Sequence, residues 1–246
     1  MSQIIRIKGQ DWSGQGRPRV VPDFEYAVPD LTALYRFDRL ESGGIPDATG
    51  NGHTATGFAG TIDAEGGIFA AQSADTGIVA SPTMTLFLVA KLDGSITTNY
   101  HMLLSAYQPC SQLYLSNTGQ LRAICGLRNT STGAAAADNS TDIPLASIAG
   151  RYVFMCATFD STRYTLDVPQ INYAFSKNIS AGFELHPNTA GITTKIGAQG
   201  STNANKLTGR IALAGVINGR AANAVERTAL YAAARNQMLS RGIALS

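Results

Sequence analysis

Asp63 and Glu65, in the stretch Thr61-Ile-Asp-Ala-Glu-Gly-Gly67, are the nearest this chain comes to a pair of catalytic carboxylates. Retaining glycoside hydrolysis needs two carboxyl groups about 5 Å apart, a separation that alternate residues on one strand face supply. The five glutamates are Glu25, Glu41, Glu65, Glu184 and Glu226, and none stands two residues from an aspartate inside a strand-like run. Asp63 and Glu65 have the spacing, but in a turn-like context. The three histidines, His53, His101 and His186, are scattered, and no Gly-x-Ser-x-Gly elbow accompanies them, so a serine triad lacks its parts. No Gly-x-x-x-x-Gly-Lys-(Ser/Thr) run occurs, which removes the phosphate-cradling loop. Cys110, Cys125 and Cys156 lack a Cys-x-x-Cys spacing; Cys125 and Cys156 lie in apolar runs and read as buried, inert thiols. The residues predict no catalytic site.

Two other sets of residues have binding chemistry. In Phe37-Asp-Arg-Leu-Glu-Ser-Gly-Gly-Ile-Pro-Asp-Ala-Thr-Gly-Asn-Gly-His53, Asp38, Asp47 and Asn51 offer oxygen ligands for calcium, although a calcium loop concentrates more carboxylates than this. The glycines and Asn51 tolerate positive φ and Asp47 can accept loop amides, so the plainer reading is a corner. No cofactor is expected. Sugar recognition combines an aromatic platform with amide and carboxylate hydrogen bonds. Tyr100, Tyr107 and Tyr114, with Asn99 and Gln112 among them, are the cluster that fits, in positions that read as a rim. Edge-strand and core tyrosines are the alternative reading.

The elements that must hold these residues follow from pattern. The 246 residues suffice for one large β domain with its own core. Charged residues make up 15% and the formal charge is +2, with no basic run, which argues against a nucleic-acid partner. The longest apolar run, residues 85–90, falls far short of the ~20 residues of a membrane span, so no membrane partner is expected. The amino terminus lacks the apolar segment of a secretory signal, which implies synthesis in a bacterial cytoplasm. Residues 1–30 carry Pro18, Pro22 and Pro29, the single Trp12 and little apolar periodicity. They read as an extended arm, either for assembly or wrapped on its own domain. Arg6, Lys8, Trp12, Arg17 and Arg19 are its candidate docking residues.

From residue 31 onward, short β-type runs alternate with turn clusters every ten to fifteen residues. Arg163-Tyr-Thr-Leu-Asp-Val168 shows the two-residue period of a half-buried strand. This predicts two packed antiparallel sheets over 31–217 and excludes repeated βαβ units. Residues 129–150 read as a long loop or strand-poor excursion. Asn223 and Glu226 form a capping-box pattern that opens one helix over 221–240, with Gly242 at its stop and Val225, Ala229, Leu230, Ala233 and Met238 as an apolar stripe.

Three stretches together resemble the concanavalin A-like, laminin-G-type jelly-roll domains, of the kind found in bacteriophage virion proteins. They are Leu34-Tyr-Arg-Phe-Asp38 with Asp47-Ala-Thr-Gly-Asn-Gly52, then Ala157-Thr-Phe-Asp160, and finally Ile196-Gly197 with Gly209-Arg-Ile211, Val216, Glu226 and Leu230-Tyr231. The resemblance implies a two-sheet jelly roll over about residues 31–235. Laminarinase-like hydrolases share that fold, but their Glu-x-Asp-x-Glu strand motif is absent here. Two functional classes remain. One is a non-catalytic binding or structural component of a phage particle, such as a fibre, baseplate or capsid-decorating protein. It would be attached to other virion proteins through the arm, homo-oligomeric with trimeric symmetry as one form, and directed at a host surface glycan. The other is a glycan-degrading hydrolase using Asp63 and Glu65, or acids brought together from different strands. A purely architectural domain is the third possibility.

Overall fold

The apolar run at 85–90 becomes a strand covered on both faces, and the two kinds of cover define the architecture. The computed structural model describes residues 28–41, 43–93, 100–106, 111–199 and 205–245. The arm residues Arg6, Lys8, Trp12, Arg17 and Arg19, together with Asn99, Tyr107 and Cys110, lie outside the described residues. In chain order the strands are β1 (Ala33–Tyr35), β2 (Thr61–Asp63), β3 (Gly66–Gln72), β4 (Ala74–Val79), β5 (Met84–Leu92), β6 (His101–Ser105), β7 (Gln112–Leu115) and β8 (Gln120–Asn129). They continue as β9 (Ala135–Asn139), β10 (Ile143–Pro144), β11 (Tyr152–Phe159), β12 (Arg163–Val168), β13 (Tyr173–Asn178), β14 (Phe183–Leu185), β15 (Thr193–Ile196) and β16 (Leu207–Asn218), before helix α1 (Ala224–Ser240).

The first sheet runs β13-β12-β11-β5-β16-β3-β2, with β1 also pairing β16. The second runs β10-β8-β7-β6-β15-β4, with β9 and β14 also pairing β8. The strand ladders are antiparallel throughout. Among the described residues, the two-sheet sandwich with a single C-terminal α-helix matches the expectation from sequence. No helix among the described residues is long and apolar enough to cross a membrane.

Strand alternation divides the apolar residues into two clusters. Leu86, Leu88 and Ala90 of β5, with Val153, Met155 and Phe159 of β11, meet Leu104, Leu113, Leu121, Cys125 and Ile196 of the second sheet. On the opposite face, Phe87, Val89, Phe154 and Cys156 meet Leu230, Ala234 and Met238 of α1. β5 and β11 are therefore central strands apolar on both faces, which is why residues 86–90 and 153–157 run without a polar break. Gly215 stands opposite Phe87 in register, and a Cβ there would lie 2.1 Å from that ring. A side chain at 215 would displace the ring from beneath the helix.

A bulge interrupts β16 between Ile211 and Leu213, so that Ala212 and Leu213 both join the helix-side cluster. Arg241, just past the helix end, answers this bulge. Its guanidinium donates to Ala212 O (2.8 Å), Arg36 O (2.7 Å), Phe37 O (3.3 Å) and Ala64 O (3.3 Å). At the other helix end, Asn223 Oδ1 accepts from Glu226 N and Glu226 Oε2 accepts from Asn223 N, the predicted capping box. The helix begins at Ala224 rather than 221. Its stripe also differs from expectation: Leu230, Ala234, Gln237 and Met238 are buried, while Val225 is 79% exposed. Val225 precedes Leu230 by five residues, about 140° around the helix, which turns it to solvent.

Residues 129–150 are not strand-poor. β9 folds back on β8 through a turn in which Asn129 Oδ1 accepts from Ser131 N and Thr132 N, and Gly133 takes a φ of 72°. β9 presents Ala or Asn on one face and Ala or Asp on the other, so its two-residue period carries no polarity contrast. Cys125 and Cys156 are buried free thiols, as expected. Burial pushes the Cys125 thiol up to about 12.

Candidate functional site

The helix occupies the outer face of the first sheet, and the outer face of the second has no such cover among the described residues. β7 shows how that face is populated. Leu113 and Leu115 enter the inter-sheet core, so Gln112 and Tyr114 stand on the other side of the strand. Register carries the row across the sheet: Gln112 pairs Ile124 of β8 and Ser105 of β6, and Ser105 pairs Lys195 of β15, which pairs Asp75 of β4. One step along, Tyr114 pairs Arg122 and Met102. Strand residues that avoid the core thus place polar and aromatic side chains on the outer side of this sheet, where Ser105, Gln112 and Tyr114 are themselves buried.

Its chemistry is that of a hydrogen-bonding platform. Tyr100 is 41% exposed and lies against Tyr114, with ring centroids 5.9 Å apart at 39°. Tyr114 is buried, and burial pushes its hydroxyl up against the opposing pull of Arg122. Arg122 reaches Asp142 through two bonds, Nε–Oδ1 at 2.5 Å and Nη2–Oδ2 at 2.8 Å. The guanidinium holds the Asp142 carboxyl below the usual carboxylate range. Beside them, Gln112 Nε2, Ser105 Oγ and Gln120 Oε1 are buried without a hydrogen-bond partner among the described residues. Buried polar atoms are rarely left so, and each costs about 1–3 kcal/mol when no partner is supplied.

The structure brings Tyr100, Gln112 and Tyr114 together. Gln112 and Tyr114 lie within β7, not on a rim, and both are buried, with Tyr100 as the exposed partner. Asn99 and Tyr107 lie outside the described residues. Sequence reading missed Arg122, Asp142 and Ser105. A signal for Arg122 was present: the turn at Asn117-Thr-Gly119 sets the β7–β8 register, which places Arg122 opposite Tyr114.

The residues weighed for calcium are arranged differently. Asp47 Oδ1 accepts from Leu34 N and Thr49 N, both at 3.0 Å, and Oδ2 accepts from His53 N at 3.3 Å. Thr49 Oγ1 donates to the same carboxylate at 2.8 Å. Asn51 Nδ2 donates to Leu31 O and Thr32 O, each at 3.0 Å. Asp38 is exposed, and its charge acts on the Arg241 guanidinium. Among the described residues no three His, Cys, Asp or Glu side chains form a metal-sized group. The loop is a corner clamped onto β1.

Asp63 and Glu65 share Arg210. Its Nη1 lies 2.7 Å from both Asp63 oxygens and 3.8 Å from Glu65 Oε2. That bond holds the Asp63 carboxyl below its ordinary range. A groove of about 440 Å3 also opens between α1 and the edge strands, lined by Phe154, Asp167, Tyr173, Arg227 and Tyr231. Arg227 is bonded to Asp167 there.

No protein-family model matches the chain, and no curated protein matches it in sequence. Solved structures do. The chain is similar to domain 4 of AbnA, a GH43 extracellular arabinanase from Geobacillus stearothermophilus, in a structure with arabinotriose. The identity is 19% and the TM-score 0.57, over 82% of this chain and 98% of that one. It is also similar to the Trypanosoma rangeli sialidase in complex with 2,3-difluorosialic acid, at 13% identity and a TM-score of 0.55. That match covers 84% of this chain and only 33% of the sialidase chain. At these identities the likeness establishes a jelly-roll sandwich.

Proposed function

We propose that this chain is a non-catalytic carbohydrate-recognition domain whose binding surface is the outer face of the second sheet. One observation carries the reading: the Tyr100 ring, 41% exposed, lies against Tyr114 on that face, in a row where Tyr114 pairs Arg122 and Gln112 pairs Ser105. An aromatic face contributes apolar contact to a sugar ring, while fixed polar groups orient its hydroxyls. The shared architecture with an arabinanase domain solved with arabinotriose supports the same reading. A hydrolase using Asp63 and Glu65 is disfavoured by their chemistry. A general acid needs a raised pKa, and the Arg210 bond moves Asp63 the other way.

Affinity electrophoresis against a polysaccharide panel, with a reducing-end assay on the same mixtures, tests this. Retardation by at least one polysaccharide without new reducing ends is expected, and Tyr100→Ala should weaken it about tenfold, near 1.4 kcal/mol. Release of reducing ends that is lost in Asp63→Asn would instead establish the hydrolase.

The wider setting, a structural component of a bacteriophage particle, is proposed on sequence alone. It rests on the proline-bearing arm at 1–30 and on a lectin-like sandwich without a catalytic motif. In that setting Trp12 anchors the arm to another chain, which accounts for a tryptophan with no periodic apolar neighbours. Deleting residues 1–27 should leave the melting temperature within a few degrees and abolish assembly. A truncation that unfolds the sandwich would assign the arm to its own domain.

A further inference from the structure

We propose that one end of the first sheet binds a free α-amino acid with an apolar side chain, held through both of its charges. The site lies on the sheet opposite the proposed saccharide face and does not rest on the carbohydrate reading. Along β5 the outward positions Phe87 and Val89 meet the helix-side cluster, and Lys91 and Asp93 are the next two. Lys91 pairs Arg210 of β16, which pairs Ile68 of β3. Beside that row, Thr208 of β16 pairs Ala70 of β3. The alternate residues Phe69, Ala90, Leu92 and Ile211 enter the inter-sheet core, which turns this set outward. Ala70, Asp93 and Thr208 are exposed, and Ile68, Lys91 and Arg210 are partly so. All six line one open cavity of about 340 Å3, near the small end of the roughly 300–1,000 Å3 typical of ligand pockets.

Charge selects the ligand. The Arg210 guanidinium is answered by Asp63, whose two oxygens lie 2.7 Å from Nη1. Lys91 and Asp93 make no ion pair among the described residues. Lys91 Nζ stands 5.7 Å from the centre of the Tyr152 ring, a contact that leaves its charge unneutralised. Two opposite charges thus border one cavity, on alternate residues about 6.6 Å apart along the chain. A ligand of one sign meets a repelling group: an anion at Lys91 faces the Asp93 carboxylate, and a cation at Asp93 faces the Lys91 ammonium. A zwitterion is repelled by neither. An α-amino acid carries its carboxylate and ammonium on one carbon, so the first reaches Lys91 while the second reaches Asp93. A peptide terminus offers only one of the two. The Thr208 hydroxyl donates to the same carboxylate, and Ile68 with Ala70 gives an apolar side chain its contact.

Amide chemical-shift titration of the full chain at neutral pH tests this with L-leucine, N-acetyl-leucine and leucinamide. The second lacks the ammonium and the third lacks the carboxylate. L-leucine should bind with a Kd of about 1–10 mM, since both charge contacts stay open to water, and should shift the amides of Lys91, Asp93, Thr208 and Arg210. Each derivative should bind at least about tenfold more weakly. Lys91→Met and Asp93→Asn should each weaken leucine binding by about the same factor, with the melting temperature unchanged. Equal binding of leucine and either derivative to the parent chain would overturn the inference and reduce the site to a single anion or cation contact. So would the absence of saturable shifts up to about 50 mM leucine, or shifts confined to other parts of the chain.

Discussion

Asp47 is the residue on which the corner before β2 depends. Its carboxylate gathers three backbone N–H groups and a hydroxyl from both sides of the loop, tying residues 49–53 to β1. Hydrogen bonds to a charged acceptor contribute about 1.5–3 kcal/mol, and unpaired amides add their own desolvation cost. Asp47→Ala should therefore lower unfolding stability by about 2–3 kcal/mol in urea, whether or not calcium is present. A loss that appears only in calcium-containing buffer would revive a metal role for Asp38, Asp47 and Asn51. The sequence displayed this corner plainly, because Asp followed by glycines and Asn has one economical geometry. It displayed the proposed binding face less well. Gln112 and Tyr114 could be singled out by residue type, but Ser105 and Asp142 matter only through cross-strand neighbours, and a single chain read in order shows no neighbours.

The helix is tied at both ends by different chemistry. At its start the capping box satisfies two N–H groups; at its end the Arg241 guanidinium reaches four carbonyls, including that of the bulge residue Ala212. A cap contributes about 1 kcal/mol. A part-buried cation whose acceptors would be left unpaired contributes about 2–4 kcal/mol. Arg241→Met should thus lower the urea midpoint more than Asn223→Ala, with Arg241→Lys close to Met, because an ammonium cannot span four fixed carbonyls. Equal effects at the two ends would contradict this ranking. The capping box was legible because it is local. The Arg241 clasp was not, since three of its four carbonyls lie more than a hundred positions away in the chain. The edge strand β13 went unread although Tyr173 and Phe175 alternate toward the core, because Asn172 and Lys177 bracket a run too short to declare itself. Central strands announced themselves by unbroken apolar runs, and edge strands did not.

Among the described residues many charges stand in local pairs, and these pairs bear on how stability responds to pH. Arg210 holds Asp63, and Arg122 holds Asp142, below their ordinary carboxylate range. A folded-state pKa that is depressed contributes stability above the unfolded value and loses it as pH falls through the folded one. Stability should be flat above about pH 5 and decline below about pH 4. Both carboxylates are more than a third exposed, so solvent screening keeps each contribution small. Thermal melts from pH 7 to pH 2 check this; a midpoint that rises on acidification would contradict it. At the same scale, the helix covers one face of the sandwich, and the proposed binding side is the other. Amide chemical-shift mapping with a neutral oligosaccharide that binds tests that division most directly. The largest shifts are expected along β6, β7 and β15, centred on Ser105, Gln112 and Tyr114. Shifts concentrated instead in the groove of Asp167, Tyr173, Arg227 and Tyr231 would contradict it.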